Sequence, residues 1–165
     1  RAVITAAGAQ NVEAGVEARM RRQEVFADGR GPRYDMILDA RALLLGVAPV
    51  DVIRAQILAL ADRADQIERL DFRIIPLGQE APVFSAVGFT VYEFRSAESP
   101  PVAWIEAPAG DVYFSAPDDV ARHIDIFEGF RSVALPPSDS VRYLHSLAGV
   151  IDRYLTAPGT EGGQP

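Results

Sequence analysis

PVDVIRAQILALADRADQIERLDFRIIPLG, residues 49–78, holds the longest periodic run of the chain and the change of period that follows it. Val50, Ile53, Ile57, Leu60, Ala64 and Ile67 recur at helical spacing. Pro49 suits a first helical position, because the N–H it lacks would have no intrahelical partner there. The spacing predicts a helix over residues 49–68. The next segment, LDFRIIPLG (70–78), is a short apolar run closed by Pro76 and Gly78 and reads as a buried strand.

Working outward, YDMILD (34–39) sets Tyr34, Met36 and Leu38 against Asp35, Ile37 and Asp39, a strand alternation. ARALLLG after it suits one or two helical turns ending at Gly46. Upstream, residues 9–26 read as a helix, with Val12, Val16 and Met20 on one face and Glu13, Glu17 and Arg21 on another. ADGRGPR (27–33) is a loop. Downstream, AVGFTVYEF (86–94) reads as a strand, and VAWIE (102–106) with DVYFS (111–115) as a hairpin closed by APAG. SAPD then starts a helix with Ser115 as N-cap and Asp118 at the capping-box position. Val120, Ile124, Phe127 and Val133 line its inner side. PPSDS (136–140) breaks it, and a last helix carries Val141, Leu144, Ala148, Ile151 and Leu155. The order predicts an α+β fold rather than regular βαβ alternation: a mixed, largely antiparallel sheet flanked by four to five helices, two of them C-terminal. Residues 1–156 are expected to form a single domain that opens with a helix-containing segment, 1–33, and residues 157–165 a disordered tail.

A chain of 165 residues, 48% hydrophobic, can bury a core. It has no apolar run near the membrane-spanning length, so no membrane role is expected. With no cysteine there are no disulfides or thiolate metal sites, and a cytoplasmic location is expected. All sixteen basic residues are Arg. Residues 1–33 carry six of them against four carboxylates, while the rest of the chain carries ten against nineteen. That acidic body, within a net charge of −7, repels phosphate and makes the segment a poor nucleic-acid binder by itself. The chain starts at Arg1 without a methionine and is expected to be a fragment lacking an upstream part.

The motifs of known chemistries are missing. Without lysine there is neither a P-loop nor a Schiff base, and no GxGxxG or GxSxG occurs. His123 and His145 lie on different predicted helices, without metal-ligand spacing. No cofactor, metal or catalytic residue is assigned. Glu106 is the most suggestive carboxylate, closing a strand on the same parity as Val102 and Trp104. It either meets a ligand or, if that face is buried, pairs with an arginine. Asp39 closes its strand in the same way. Phe72, Phe89, Tyr92, Phe94, Trp104, Tyr113 and Phe114 concentrate in the strands, where core packing is the ordinary role.

EARMRRQEVF (17–26) is the basic exception. At 100° per residue Arg21 joins the Glu13/Glu17 face, whereas Arg19 and Gln23 fall beside the apolar stripe and Arg22 lies between them. This spacing predicts a clamp in which Arg19 and Gln23 dock the helix onto the acidic body, with Asp39 or Glu106 as partners.

In order, RMRRQ, ILDARALL, IRAQILAL, FRIIPLG, GFTVYEF, VAWIEAPAGDVYF and FEGFRSVALPPSDS resemble an uncharacterised actinobacterial domain. That domain follows an XRE (Cro/cI-type) helix-turn-helix in transcriptional regulators. The resemblance covers about residues 3–154, and Arg19, Gln23, Gln56, Pro76, Phe89, Glu106 and Ser140 match its pattern. It departs at Ala40, where the pattern commonly has Glu, which puts any role of that carboxylate in doubt here. The resemblance implies a regulatory, sensor or effector-binding domain. Its implied partners are a small-molecule effector, a small companion protein or a second copy of the chain, with DNA reached only through an absent N-terminal domain. Two alternatives are an enzyme, nucleotide-binding or ADP-ribosyltransferase-like, using Glu106, and a protein-interaction scaffold.

Overall fold

The computed structural model describes residues 12–24, 31–44, 48–96, 98–107 and 110–156; side chains are described for these except at 12, 22 and 154–156. The predicted helix start at 9–11, the loop at 27–30, the Gly46 cap and the tail 157–165 lie outside the described residues. The chain divides into two compact units: residues 1–77 with 135–165, and residues 78–134.

The first unit holds helix α1 (Val12–Glu24), strand β1 (Tyr34–Asp39), a 3-10 turn (Ala40–Leu44), helix α2 (Val50–Gln66), strand β2 (Leu70–Ile75) and helix α4 (Pro137–Thr156). β1 and β2 pair in parallel from Tyr34↔Leu70 to Asp39↔Ile75. The reason lies in the connection: parallel neighbours need a crossover of a dozen residues or more, and α2 with its flanking turns supplies it. Leu38, Leu70, Phe72 and Ile74 share one face of this pair by register. Phe72 and Ile74 are fully buried in the core with Ile57 and Ala61 of α2 and Leu144, Leu147, Ala148 and Ile151 of α4. The bidentate Arg54–Asp152 ion pair adds a polar link between the two helices.

The second unit holds β3 (Thr90–Tyr92), β4 (Val102–Ile105), β5 (Val112–Phe114) and helix α3 (Pro117–Arg131). Its strands form an antiparallel sheet in the order β3–β4–β5. The expected mixed, largely antiparallel sheet is therefore corrected to two small sheets, one parallel pair and one antiparallel triplet, in an α+β fold with four α-helices among the described residues. The strand predicted over 86–94 shrinks to Thr90–Tyr92, leaving Val87 and Phe94 exposed outside it. The hairpin and the α2 periodicity hold as read. No helix among the described residues is long and apolar enough to cross a membrane.

Two helix starts differ from the sequence reading by the same cause. α3 begins at Pro117 with Ala116 as N-cap and no side-chain cap, one residue after Ser115. A residue before proline is pushed to extended backbone, and Ala116 is so placed at φ −68°, ψ 132°. α4 likewise starts at Pro137, inside the stretch read as a breaker.

Ser140, in the first turn of α4, is fully buried. Its Oγ accepts the Ile74 backbone N–H at 3.0 Å and has the Leu135 and Pro136 carbonyls at 3.0 and 2.9 Å as acceptors for its own proton. Ile74 O in turn accepts Leu135 N–H at 2.9 Å. Both outward-pointing backbone groups of Ile74 are thus satisfied by the entry into α4. Replacing Ser140 by Ala leaves a buried amide without an acceptor, and should cost about 1–3 kcal/mol in urea unfolding.

Gly129 is demanded by close approach: a Cβ there would lie 2.5 Å from Val83 Cγ1, whereas one at Gly149 meets nothing within 4 Å. Gly149→Ala should therefore gain about 0.5–1 kcal/mol from helix propensity. Gly129→Ala should gain nothing or lose stability, and equal gains at the two sites would contradict the close packing of Val83 on α3.

Candidate functional site

Within the first unit, Arg19 and Gln23 on α1 and Asp39 at the end of β1 have separate surroundings. Arg19 and Gln23 are exposed on α1, with Arg19 donating back to the Gly15 carbonyl at 3.5 Å. Met20, on the expected inner face of α1, is 58% exposed. The buried polar face that a clamp requires is absent from the described part of α1. Arg21 pairs with Glu17 at 2.6 Å, as the ladder predicted. The Arg22 side chain lies outside the described residues.

Asp39 has a local partner. Its Oδ1 accepts the Arg41 backbone N–H at 2.8 Å, an Asx-type turn that starts the 3-10 segment. Arg41 Nε lies 2.9 Å from both carboxylate oxygens, and its Nη2 also donates. The hydrogen bonds from the Arg41 side chain hold the Asp39 carboxyl below its ordinary value of 3.8, against a smaller opposing effect of burial. Between these two residues Ala40 is fully buried in the core.

A second carboxylate pair comes from the parallel register, where Asp35 stands opposite Asp71. Arg33 Nε lies 3.1 Å from Asp35, and Arg73 Nε lies 2.7 Å from Asp71. Alternating charges along neighbouring strands stabilise the sheet, and this ladder is structural.

The second unit presents a different surface. Alternation puts Val91, Ala103, Ile105 and Phe114 on one face of the sheet and Thr90, Tyr92, Val102, Trp104 and Tyr113 on the other. Helix α3 covers the first face: Ala103 is fully buried, and the His123 ring lies 4.9 Å from Phe114 and 5.2 Å from Phe89. His123 is oriented by its Nδ1–H, which donates to the Asp119 carbonyl at 2.7 Å, so it is a packed helix residue. The opposite face carries Tyr92 at 43% and Tyr113 at 65% exposure, with Trp104 between them. Tyr92 and Trp104 are 6.3 Å apart between ring centroids, and Trp104 and Tyr113 are cross-strand partners. Trp104 Nε1 is shut off from solvent with no hydrogen-bond partner, alone among the described buried side-chain polar atoms. Glu106 is exposed just beyond the end of β4.

The aromatics of the strands thus divide. Phe72 is core, as read, but Tyr92, Phe94 and Tyr113 are exposed. The signal in the sequence was the parity of VAWIE, which ends the Trp104 face in a carboxylate.

Residues 1–146 match the family model described as Domain of unknown function (DUF5753), and the chain belongs to that family. No curated protein matches the chain, and neither does any solved structure.

The Asp39–Arg41 pair generates a pH test. A carboxyl whose pKa is lowered on folding adds stability above its unfolded value of 3.8, and that stability is lost as pH falls through the folded value. Asp39→Asn should therefore lower the urea midpoint at neutral pH, with the gap from the parent chain closing in acid. A gap that persists unchanged below the carboxylate range would show that the ion pair is not its source.

Proposed function

We propose that this DUF5753 domain is the regulatory part of a helix-turn-helix transcriptional regulator, sensing a ligand or a partner in the cytoplasm and leaving DNA contact to a separate domain. The observation that carries the proposal is the face of β3–β4–β5 turned away from α3, where exposed Tyr92 and Tyr113 flank a half-buried Trp104. Three rings stand side by side on a sheet whose other face is already filled by α3. Exposed aromatics on a rigid sheet are a binding surface, since ring area is desolvated on contact at little entropic cost.

Charge supports the same reading. Residues 78–134 carry nine Asp/Glu against three Arg, a net of −6, and the remainder carries fourteen against thirteen. A surface of that sign disfavours a phosphate backbone. The α1 arginines do not reverse this, because Arg19, Arg21 and Arg22 share their helix with Glu13, Glu17 and Glu24.

Titrated with labelled duplex DNA at about 0.15 M ionic strength, the chain should show no binding in fluorescence anisotropy. Binding with a steep salt dependence would instead make this chain itself the DNA-contacting part. Native mass spectrometry of the purified chain should show a retained small molecule or partner polypeptide, either of which Tyr113→Ala weakens.

A further inference from the structure

Resting on that sensing role, we infer that the open face of the β3–β4–β5 sheet docks an arginine-bearing basic segment of a protein partner, whose guanidinium groups stack on Tyr92, Trp104 and Tyr113. The rings supply the first half of the recognition. An aromatic face carries a negative quadrupole, and indole is the strongest of the three ring types for a cation. Guanidinium is planar and weakly hydrated, so it stacks where an ammonium would keep its water. The unit itself contains such a contact, with the Arg131 guanidinium carbon 5.6 Å from the Phe127 ring centroid.

The field around the rings supplies the second half. The unit's net charge of −6 is nearly the whole −7 of the chain. Two of its three arginines are engaged along α3, Arg122 with Asp119 at 3.8 Å and Arg131 with Glu128 at 3.2 Å. Continued one step past Ile105↔Val112, the hairpin register sets Glu106 opposite Asp111, and both are exposed.

Charge also separates the possible occupants. A single nucleic-acid strand could stack its bases on the rings, but its phosphates meet a field of their own sign. A second copy of this chain brings the same −6 to the contact, and its remaining residues are close to neutral. A neutral sugar could stack on the rings but would gain nothing from the acidic field. A basic peptide uses the rings and the field together.

Trp104 is the one tryptophan of the chain, so its emission reports directly on the face. Octa-arginine should shift or quench that emission saturably at about 0.15 M ionic strength, while octa-glutamate should not. Tyr92→Ala and Tyr113→Ala, at exposed positions, should leave the melting temperature unchanged and weaken octa-arginine by about two- to fivefold each. Asp118→Asn with Asp125→Asn removes two exposed charges from α3 and should weaken it by less than either tyrosine change.

Three results would overturn the inference. One is no binding of octa-arginine, or a loss in the α3 charge variant that equals the loss in the tyrosine variants. Another is salt-independent binding of a neutral hexasaccharide in its place. The third is a homodimer in sedimentation that Tyr113→Ala dissociates. None of these touches the sensing role, which stands or falls on the duplex-DNA titration.

Discussion

A parallel pair of strands has two open edges, and the backbone groups of β2 that face away from β1 must find partners other than a third strand. Ile74 meets this requirement through the entry into α4: its N–H goes to Ser140 Oγ and its C=O receives Leu135 N–H. Just beyond the strand, Leu77 N–H donates to Tyr143 Oη at 3.0 Å. A segment sixty residues away in sequence thus closes the edge of β2, and in doing so sets α4 down on the face where Leu144, Leu147, Ala148 and Ile151 complete the core. Without that hydroxyl the helix could still bury its apolar stripe, but its first turn would compete with an unsatisfied strand edge. Ser140 is the one buried polar side chain among the described residues.

The second unit closes its sheet differently and more cheaply. Its strands are short, three residue pairs on each ladder, and one helix fills one face. A three-stranded sheet with a single covering helix leaves its other face to water, and polar residues normally occupy such a face. Here it holds Tyr92, Trp104 and Tyr113, with an indole N–H that is buried but unpaired. Local rules are broken where another requirement overrides folding, and this face is where the chain breaks them.

The helices were legible in the sequence because period 3.6 is a local property: Val50 to Ile67 needs no partner to be read. So was the β4–β5 hairpin, whose turn and alternation lie within one short stretch. Partner choice was not legible. YDMILD and LDFRII each read as strands, but nothing within either says that they pair with each other, or in which direction. The crossover α2 was visible and carried that information, since a helix of that length between two strands favours a parallel return. Similarly, alternation showed that Trp104 and Glu106 share a face, while which face α3 covers depends on Phe114 and His123 meeting across the unit. The clamp expected of Arg19 and Gln23 rested on a helix stripe being buried, and Met20 on that stripe is exposed. A stripe read from sequence records which residues can be buried, and tertiary packing decides which are.

Open sheets with helical crossovers bind ligands beyond the carboxyl ends of parallel strands, which in this chain is the ground occupied by Asp39, Ala40 and Arg41. Between the two charged residues, position 40 is an alanine. Here the position holds a methyl group enclosed by the core, where a carboxylate would be desolvated and driven toward its neutral form unless it found a partner. The adjacent carboxylate, Asp39, is held ionised by the Arg41 side chain and spends a lone pair on the turn's backbone N–H. That end of the parallel pair therefore presents a methyl group and a neutralised ion pair, a combination suited to fixing the turn into α2. The exposed rings of Tyr92 and Tyr113, by contrast, lie on the antiparallel unit, and that is where the proposed contact with a basic partner is assigned.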